Sequence, residues 1–370
     1  MRPPHLVHVF ATFAPGGPQV RTAQLLNALG GAYRHTVCAM DGCFDARELL
    51  SAELDVETVA PPPKAGLVPT VRRLRALLGA LAPDLLLTYN WGSIEAVLAG
   101  RTLGLAMLHH EDGFLPDEAA GFKRRRIWMR RAALRWPREV IVPSHRLLGI
   151  ATELWRLSAK QVHLVPNGIH VETFPERDGH AELRAELGIP AGAFVVGGVG
   201  HLRGEKNPVR LVEAVTRMEA AGVHLLLLGD GPERARVEAA VEAGGLAGRV
   251  HLAGHVADPR EHYRAMDAFC IPSDTEQMPV ALLEAMAAAL PVASTDVGDV
   301  RRMLPPEAAP HLVPLDAGAA DALAAALDAL AADSGLRASL GGKNRVRVLE
   351  AYTFEGMLGA YRDSYAAALG

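Results

Sequence analysis

Residues 273–295 read SDTEQMPVALLEAMAAALPVAST, and this stretch decides the fold. AFCIP, at 268–272, precedes it as a short apolar run of strand type. A polar loop follows, and Pro279 then stands where the first turn of a helix begins, a place where its missing N–H costs nothing. PVALLEAMAAAL continues as a helix whose one polar side chain is Glu284, and PVAST reads as the next strand. Strand, apolar helix and strand in that order form a βαβ unit, which belongs to a parallel sheet covered on both faces.

The same rhythm extends outward in both directions. Upstream within this half, strands are expected over 194–199, 224–229 and 250–253, and downstream over 292–294 and 311–313. Helical segments over 207–221 and 233–243 separate them. The first half repeats the scheme, with strands over 6–10, 35–40, 56–59, 84–88, 106–109 and 139–142. Its helices fall at 20–29, 70–81 and 122–135. No repeat of 20–50 residues runs through the chain, which argues against a solenoid. VPNGIHVETFPERDGH, at 165–180, loses the periodicity and concentrates Pro, Gly, Asn and charge, as a linker does. The expected architecture is therefore α/β, with two Rossmann-like domains whose parallel sheets face a central cleft. Ligands of such sheets bind beyond the carboxyl ends of the strands.

Composition narrows the functional classes. The 370 residues carry 38 Lys plus Arg against 42 Asp plus Glu, a net charge of −4 that gives no argument for nucleic-acid binding. Only five of the basic residues are Lys, so a local arginine cluster carries less weight than usual. Three cysteines, none spaced as C-x-x-C, argue against a disulfide framework and against a cysteine zinc site. No run approaches the ~18 apolar residues of a membrane span. HLVHVFATFAPGG near the start reads as a first strand rather than a signal peptide. A cytoplasmic protein is expected.

The chemistry concentrates where strands end. A carboxylate in so apolar a helix is costly to bury without donors, so Glu284 is expected to face the cleft and accept hydrogen bonds from a ligand such as a ribose diol. Glu276 precedes the helix, whose free N–H groups and dipole suit a diphosphate. GGVGHLRGEKNPVRLVEAV, at 197–215, follows a strand and opens a helix, and its cations can stabilise a departing diphosphate. Gly198 and Gly200 begin a G-x-G-x-x-G pattern, but position 203 is Arg, which leaves a nicotinamide-binding reading weak.

Glu276 and Glu284, as the ends of E-x7-E followed by AMAAALPV, resemble the signature of retaining glycosyltransferases of family 4, which have the GT-B fold. The resemblance implies that Glu276 lies by the transferred sugar and diphosphate and that Glu284 binds the nucleotide ribose. It sets Gln277, Met278, Pro279 and Val280 against the donor as well. The family pattern G-R-L-x-x-x-K-[GN] is matched by Leu202, Lys206 and Asn207, with His201 at the usual Arg position; Arg203 is the candidate to take over that charge beside Lys206. HLAGHVAD, at 251–258, resembles the segment whose backbone meets the nucleobase, which makes His255 and Val256 candidate donor contacts.

In the first half, the GG loop at Gly16 and Gly17 resembles one that lies against the donor diphosphate and the acceptor. Arg21, one turn on, is a candidate for an anionic acceptor. For LHHEDGF, at 108–114, the resemblance implies a histidine that contacts the transferred sugar. His110 is favoured over His109, although the register between them is open. Adjacent histidines on a strand point apart, so a metal reading of this cluster is poor. GFKRRRIWMRRAALRWP, at 121–137, is a basic segment with two tryptophans that could lie on an anionic membrane surface, a solvated face being the alternative.

With the linker as boundary, the resemblance implies an N-terminal acceptor-side domain over 1–168, with a C-terminal helix over 353–370 packing back on it, and a nucleotide-sugar domain over 169–352. The resemblance implies transfer of a sugar from a UDP- or GDP-sugar, as substrate rather than cofactor, to a saccharide or lipid-linked acceptor with retention. The setting would be cell-surface polysaccharide or glycolipid synthesis, with peripheral contact at the inner face of the membrane. No metal and no nucleic acid are expected. The alternatives are a nucleotide-sugar epimerase or hydrolase on the same fold, and a non-catalytic sugar- or lipid-binding protein.

Overall fold

Every strand pairing among the described residues is parallel. This follows from strands such as LLLTY and VHLLLL, which are buried along their whole length and leave no face for water. The computed structural model describes residues 2–114, 118, 121–176, 178 and 180–370. Positions 177 and 179 of the expected linker lie outside that set. The chain divides into two units: Met1–Asn167 with Met357–Gly370, and Gly168–Gly356.

The first unit holds β1 (His5–Phe10), β2 (Arg34–Ala39), β3 (Val56–Val59), β4 (Leu85–Tyr89), β5 (Met107–His110), β6 (Glu139–Val142) and β7 (Val162–Leu164), in the order β3-β2-β1-β4-β5-β6-β7. The second holds β8 (Phe194–Val199), β9 (Val223–Leu228), β10 (Val250–Gly254), β11 (Ala268–Ile271), β12 (Val292–Thr295) and β13 (Leu312–Val313), in the order β10-β9-β8-β11-β12-β13. Each sheet is doubly wound. Alternate residues feed opposite faces of the second sheet: Val195, Leu226, Phe269 and Ile271 join one apolar cluster, while Val196, Leu225, Ala268 and Cys270 join the other.

Strand order places the site. In each sheet the winding reverses once, between β1 and β4 in the first and between β8 and β11 in the second. Such a switch point opens a crevice at the carboxyl ends of its two strands. The loops leaving β1, β4, β8 and β11 are thus the ones that the topology exposes to a ligand.

The elements differ from the sequence expectation in several places, among them the helix expected over 207–221, which ends at Arg217, and the three that follow. β7 was not expected, because three residues that are mostly half-buried carry too little periodicity. The helix after β1 spans Gly17–Leu29, starting before 20 because Pro18 fits its first turn. The helix after β11 is only Val280–Ala287, with Pro279 as its N-cap. It stops short of 290 because Ala289 turns left-handed (φ 56°) ahead of Pro291.

Among the described residues no helix is long and apolar enough to cross a membrane, and Cys38, Cys43 and Cys270 are free thiols.

Candidate functional site

In the second unit, the loops after β8 and β11 are tied together by charge. Gly204–Lys206 form a single 3-10 turn, and Asn207 caps the helix Pro208–Arg217 by accepting the Arg210 N–H. Arg210 donates to the Pro272 carbonyl at 2.6 Å and pairs with Asp274 at 2.7 Å, and the Asp274 N–H donates to the Glu205 carbonyl at 2.9 Å. This lacing brings Lys206 to Glu276: Nζ lies 2.7 Å from both carboxylate oxygens. The Ser273 hydroxyl donates to Glu276 Oε1 at 2.7 Å. Glu276 is 8% exposed, so its charge is held by those two donors. Gly298 (φ 59°) makes room for the turn, since a Cβ there would meet the Glu276 carbonyl at 2.3 Å.

The other donor-side residues fall on the same edge of the sheet. Glu284 is partly buried, and burial pushes its pKa up to about 7 against the opposing hydrogen bond from Tyr263. Arg203 is exposed beside Lys206. His201 is exposed too, its Nδ1 held 3.0 Å from the Asp230 carbonyl. Val256 and Val280 pack against the apolar cluster. Met278 lies inside that cluster, so its side chain supports the loop and is not available to a polar ligand. The Gln277 carbonyl accepts from the Asp299 N–H at 3.1 Å.

In the first unit, Gly16 and Gly17 open the helix after β1. Arg21, on that helix, is 7% exposed and donates from Nη1 to Asp112 at 2.6 Å and to Asn167 at 2.9 Å. Its charge is paired with that of Asp112. His110 is buried between the rings of Tyr89, at 4.5 Å, and Tyr361, at 5.7 Å. Burial, then the neighbouring Arg21, hold its pKa well below the usual value, so it is neutral. Nδ1 donates to the Thr88 carbonyl at 3.3 Å, which leaves Nε2 as a lone-pair acceptor. His110 Nε2, Arg21 Nε and Asp112 Oδ2 are buried with no hydrogen-bond partner among the described residues.

His109 points to the opposite face, where it meets the Thr88 hydroxyl at 2.8 Å and Glu111 at 3.3 Å. Glu111 and Glu118 hold Arg130, which is fully buried among the rings of Trp91, Phe114 and Trp155. Arg126 pairs with Glu118, and Arg131 donates to the Leu154 carbonyl. Part of the basic segment is therefore internal. Its helix, Arg124–Ala133, still presents Arg124, Arg125 and Trp128 (63% exposed), and Trp136 beyond it is 45% exposed with Arg101 over its ring.

Comparison with known proteins follows this geometry. A family profile described as a glycosyl transferase 4-like domain matches residues 16–168, and one described as glycosyl transferases group 1 matches 193–333. The 2-deoxystreptamine N-acetyl-D-glucosaminyltransferase of Streptomyces fradiae is 35% identical over 178 residues, 46% of this chain and 42% of that protein. The GDP-mannose-dependent alpha-mannosyltransferase of Mycobacterium tuberculosis is 31% identical over 260 residues, 67% of this chain and 64% of that one. The matched stretches thus span between 42% and 64% of these relatives. Among solved structures, Anabaena HepE in complex with UDP and glucose superposes with a TM-score of 0.84 at 18% identity, covering 98% of this chain and 100% of that one. Sucrose-phosphate synthase from Thermosynechococcus elongatus gives 0.80 at 24% identity, with 98% and 100% covered. At these identities the likeness establishes the fold.

Proposed function

Because the chain belongs to the family-4-like glycosyltransferases of the GT-B fold, we propose that it transfers a sugar from a nucleoside-diphosphate sugar to an acceptor hydroxyl with retention of anomeric configuration. The observation that carries this reading is the Lys206–Glu276 pair, set at the carboxyl ends of the two strands that flank the switch point of the second sheet.

The residues divide the work by their chemistry. Lys206 is a point charge suited to the β-phosphate, and Arg203 adds a second cation beside it. As the bond from the anomeric carbon to the phosphate oxygen breaks, the departing diphosphate gains negative charge that these cations offset. The acceptor oxygen attacks on the same face, and its proton passes to the departing phosphate oxygen. Glu276, close to the cation pair, stabilises the positive charge that develops on the sugar ring. Glu284 accepts the ribose hydroxyls. The positive field comes from side chains and helix N-termini, so the reading requires no divalent metal, and activity should survive EDTA.

UDP- and GDP-sugars are the donors this reading favours, in line with the HepE complex and the mannosyltransferase named above. The acceptor is a saccharide or a lipid-linked saccharide of cell-surface synthesis. Contact with the inner face of a membrane would run through Arg124, Arg125, Trp128 and Trp136, whose exposure suits anionic headgroups. The test is nucleotide release from UDP-glucose and GDP-mannose with and without added saccharide acceptors, with the product's anomeric configuration read by NMR. Acceptor-dependent release with retention supports the proposal. Release that ignores the acceptor indicates a hydrolase, and sugar isomerisation without release indicates an epimerase.

A further inference from the structure

The Glu284 carboxylate has one side-chain partner among the described residues, and it comes from a separate element. Tyr263, in the helix Arg260–Arg264, donates its hydroxyl to Glu284 Oε2 at 2.7 Å. The Ala281 carbonyl lies farther from the same hydroxyl, at 3.3 Å. The Tyr263 ring is fully buried, 5.8 Å from the Phe269 ring and 6.1 Å from that of Phe174. It is therefore a fixed post, not a mobile surface group. On its own helix, Glu284 is surrounded by buried Leu282, Leu283, Ala285, Met286 and Ala287, none of which offers a side-chain donor.

We propose that Tyr263 is a positioning residue for the nucleotide: its hydroxyl fixes the orientation of the Glu284 carboxylate, so that Glu284 can accept the ribose diol. The proposal rests on the donor-site reading above. A hydroxyl donating to Oε2 sets the plane of the carboxylate and leaves Oε1 and the second Oε2 lone pair for a ligand. The same bond favours the charged form, which burial disfavours. The groups that bear on this titration are Tyr263 itself and Asp258, whose like charge works against ionisation. Burial and the adjacent Glu284 push the Tyr263 phenol well above its ordinary range, so it stays a neutral donor.

The experiment titrates the full chain with UDP, GDP and ADP by calorimetry between pH 6 and 9, for wild type, Tyr263→Phe and Glu284→Gln, with melting temperatures measured alongside. Tyr263→Phe keeps the ring and its packing. The expected result is a wild-type affinity that falls as pH drops through about 7. In Tyr263→Phe that fall should move up by about one pH unit, with binding at pH 7 weakened about three- to tenfold. Glu284→Gln should bind weakly at every pH. Wild-type affinity and pH profile in Tyr263→Phe would overturn the proposal. So would loss of its melting transition, because the hydroxyl would then serve stability first. Failure of wild type to bind any of the three nucleotides would instead overturn the donor-site reading, and this inference with it.

Discussion

Lys206 Nζ stands 2.7 Å from both oxygens of Glu276, across 70 residues of sequence, and Ser273 completes the carboxylate's donors. The pair closes the carboxyl edge of the second sheet where its winding reverses. Removing the charge of Glu276 while keeping its shape should therefore damage turnover more than folding. Glu276→Gln is expected to lower kcat by about 100-fold or more, the size typical of a lost transition-state contact. Ser273→Ala, which leaves Lys206 in place, should cost about tenfold, since one hydrogen bond to a charged group is lost. Steady-state kinetics with melting curves on both variants checks this; full activity in Glu276→Gln would refute the assignment.

Glu284 should trade stability for function. Its folded-state pKa of about 7 lies above the ordinary carboxylate value of 4.5. The folded state therefore binds the proton more tightly than the unfolded one, and the sign follows. This group's favourable contribution is complete below pH 4.5 and is lost as pH rises through about 7. Glu284→Gln removes the penalty, so the unliganded variant should be more stable than wild type at pH 8. The gain is about 1–2 kcal/mol after allowance for partial exposure. Denaturant titrations at pH 5 and pH 8 measure it: a gain only at pH 8 is expected, and equal stability at both pH values would contradict it.

The first unit should respond to pH in the opposite sense. His8, His35 and His110 are buried, and burial lowers all three, His35 to about 4. An imidazole with a depressed folded pKa stabilises above the unfolded value of 6.5, and that contribution is lost as pH falls below it. His35 alone accounts for roughly 3 kcal/mol. Circular dichroism between pH 7 and pH 4 should show destabilisation, and His35→Gln should blunt it.

Arg21 and Asp112 form a nearly buried pair at 2.6 Å. Breaking it from one side leaves a charge without a counterion, so Arg21→Met and Asp112→Leu should each cost about 3–5 kcal/mol. The double variant should recover much of the loss. A double-mutant cycle showing simple additivity would mean that the two side chains act independently.

The fold class was readable because buried strands announce themselves: 85–89 and 223–228 are apolar enough to exclude an exposed face. Most of the strands emerge within a residue or two of their expected ends. β7 escaped because three residues are too few to show a pattern. The limits of the Glu284 helix depend on Ala289 adopting a left-handed turn, which composition does not announce. Within the site, motif spacing singled out Lys206, Glu276 and Glu284. It could not reveal Tyr263 or Asp112, whose parts depend on contacts made by folding. Ser273 did stand three residues before Glu276, a local signal that could have found it. Arg130 shows the same limit from another side. In sequence it is one more cation in a basic run, yet it is buried, because Glu111 and Glu118 meet it there.

Calorimetric titration of wild type and Lys206→Ala with UDP, and separately with uridine, tests the donor diphosphate site most directly, with GDP and guanosine as the parallel pair. Lys206 should contribute to the diphosphate and not to the nucleoside. The expected result is saturable binding of at least one nucleoside diphosphate to wild type, at least tenfold weaker in Lys206→Ala, with nucleoside binding the same in both. Equal binding of the diphosphate by wild type and Lys206→Ala, or no binding of either diphosphate to wild type, would contradict it.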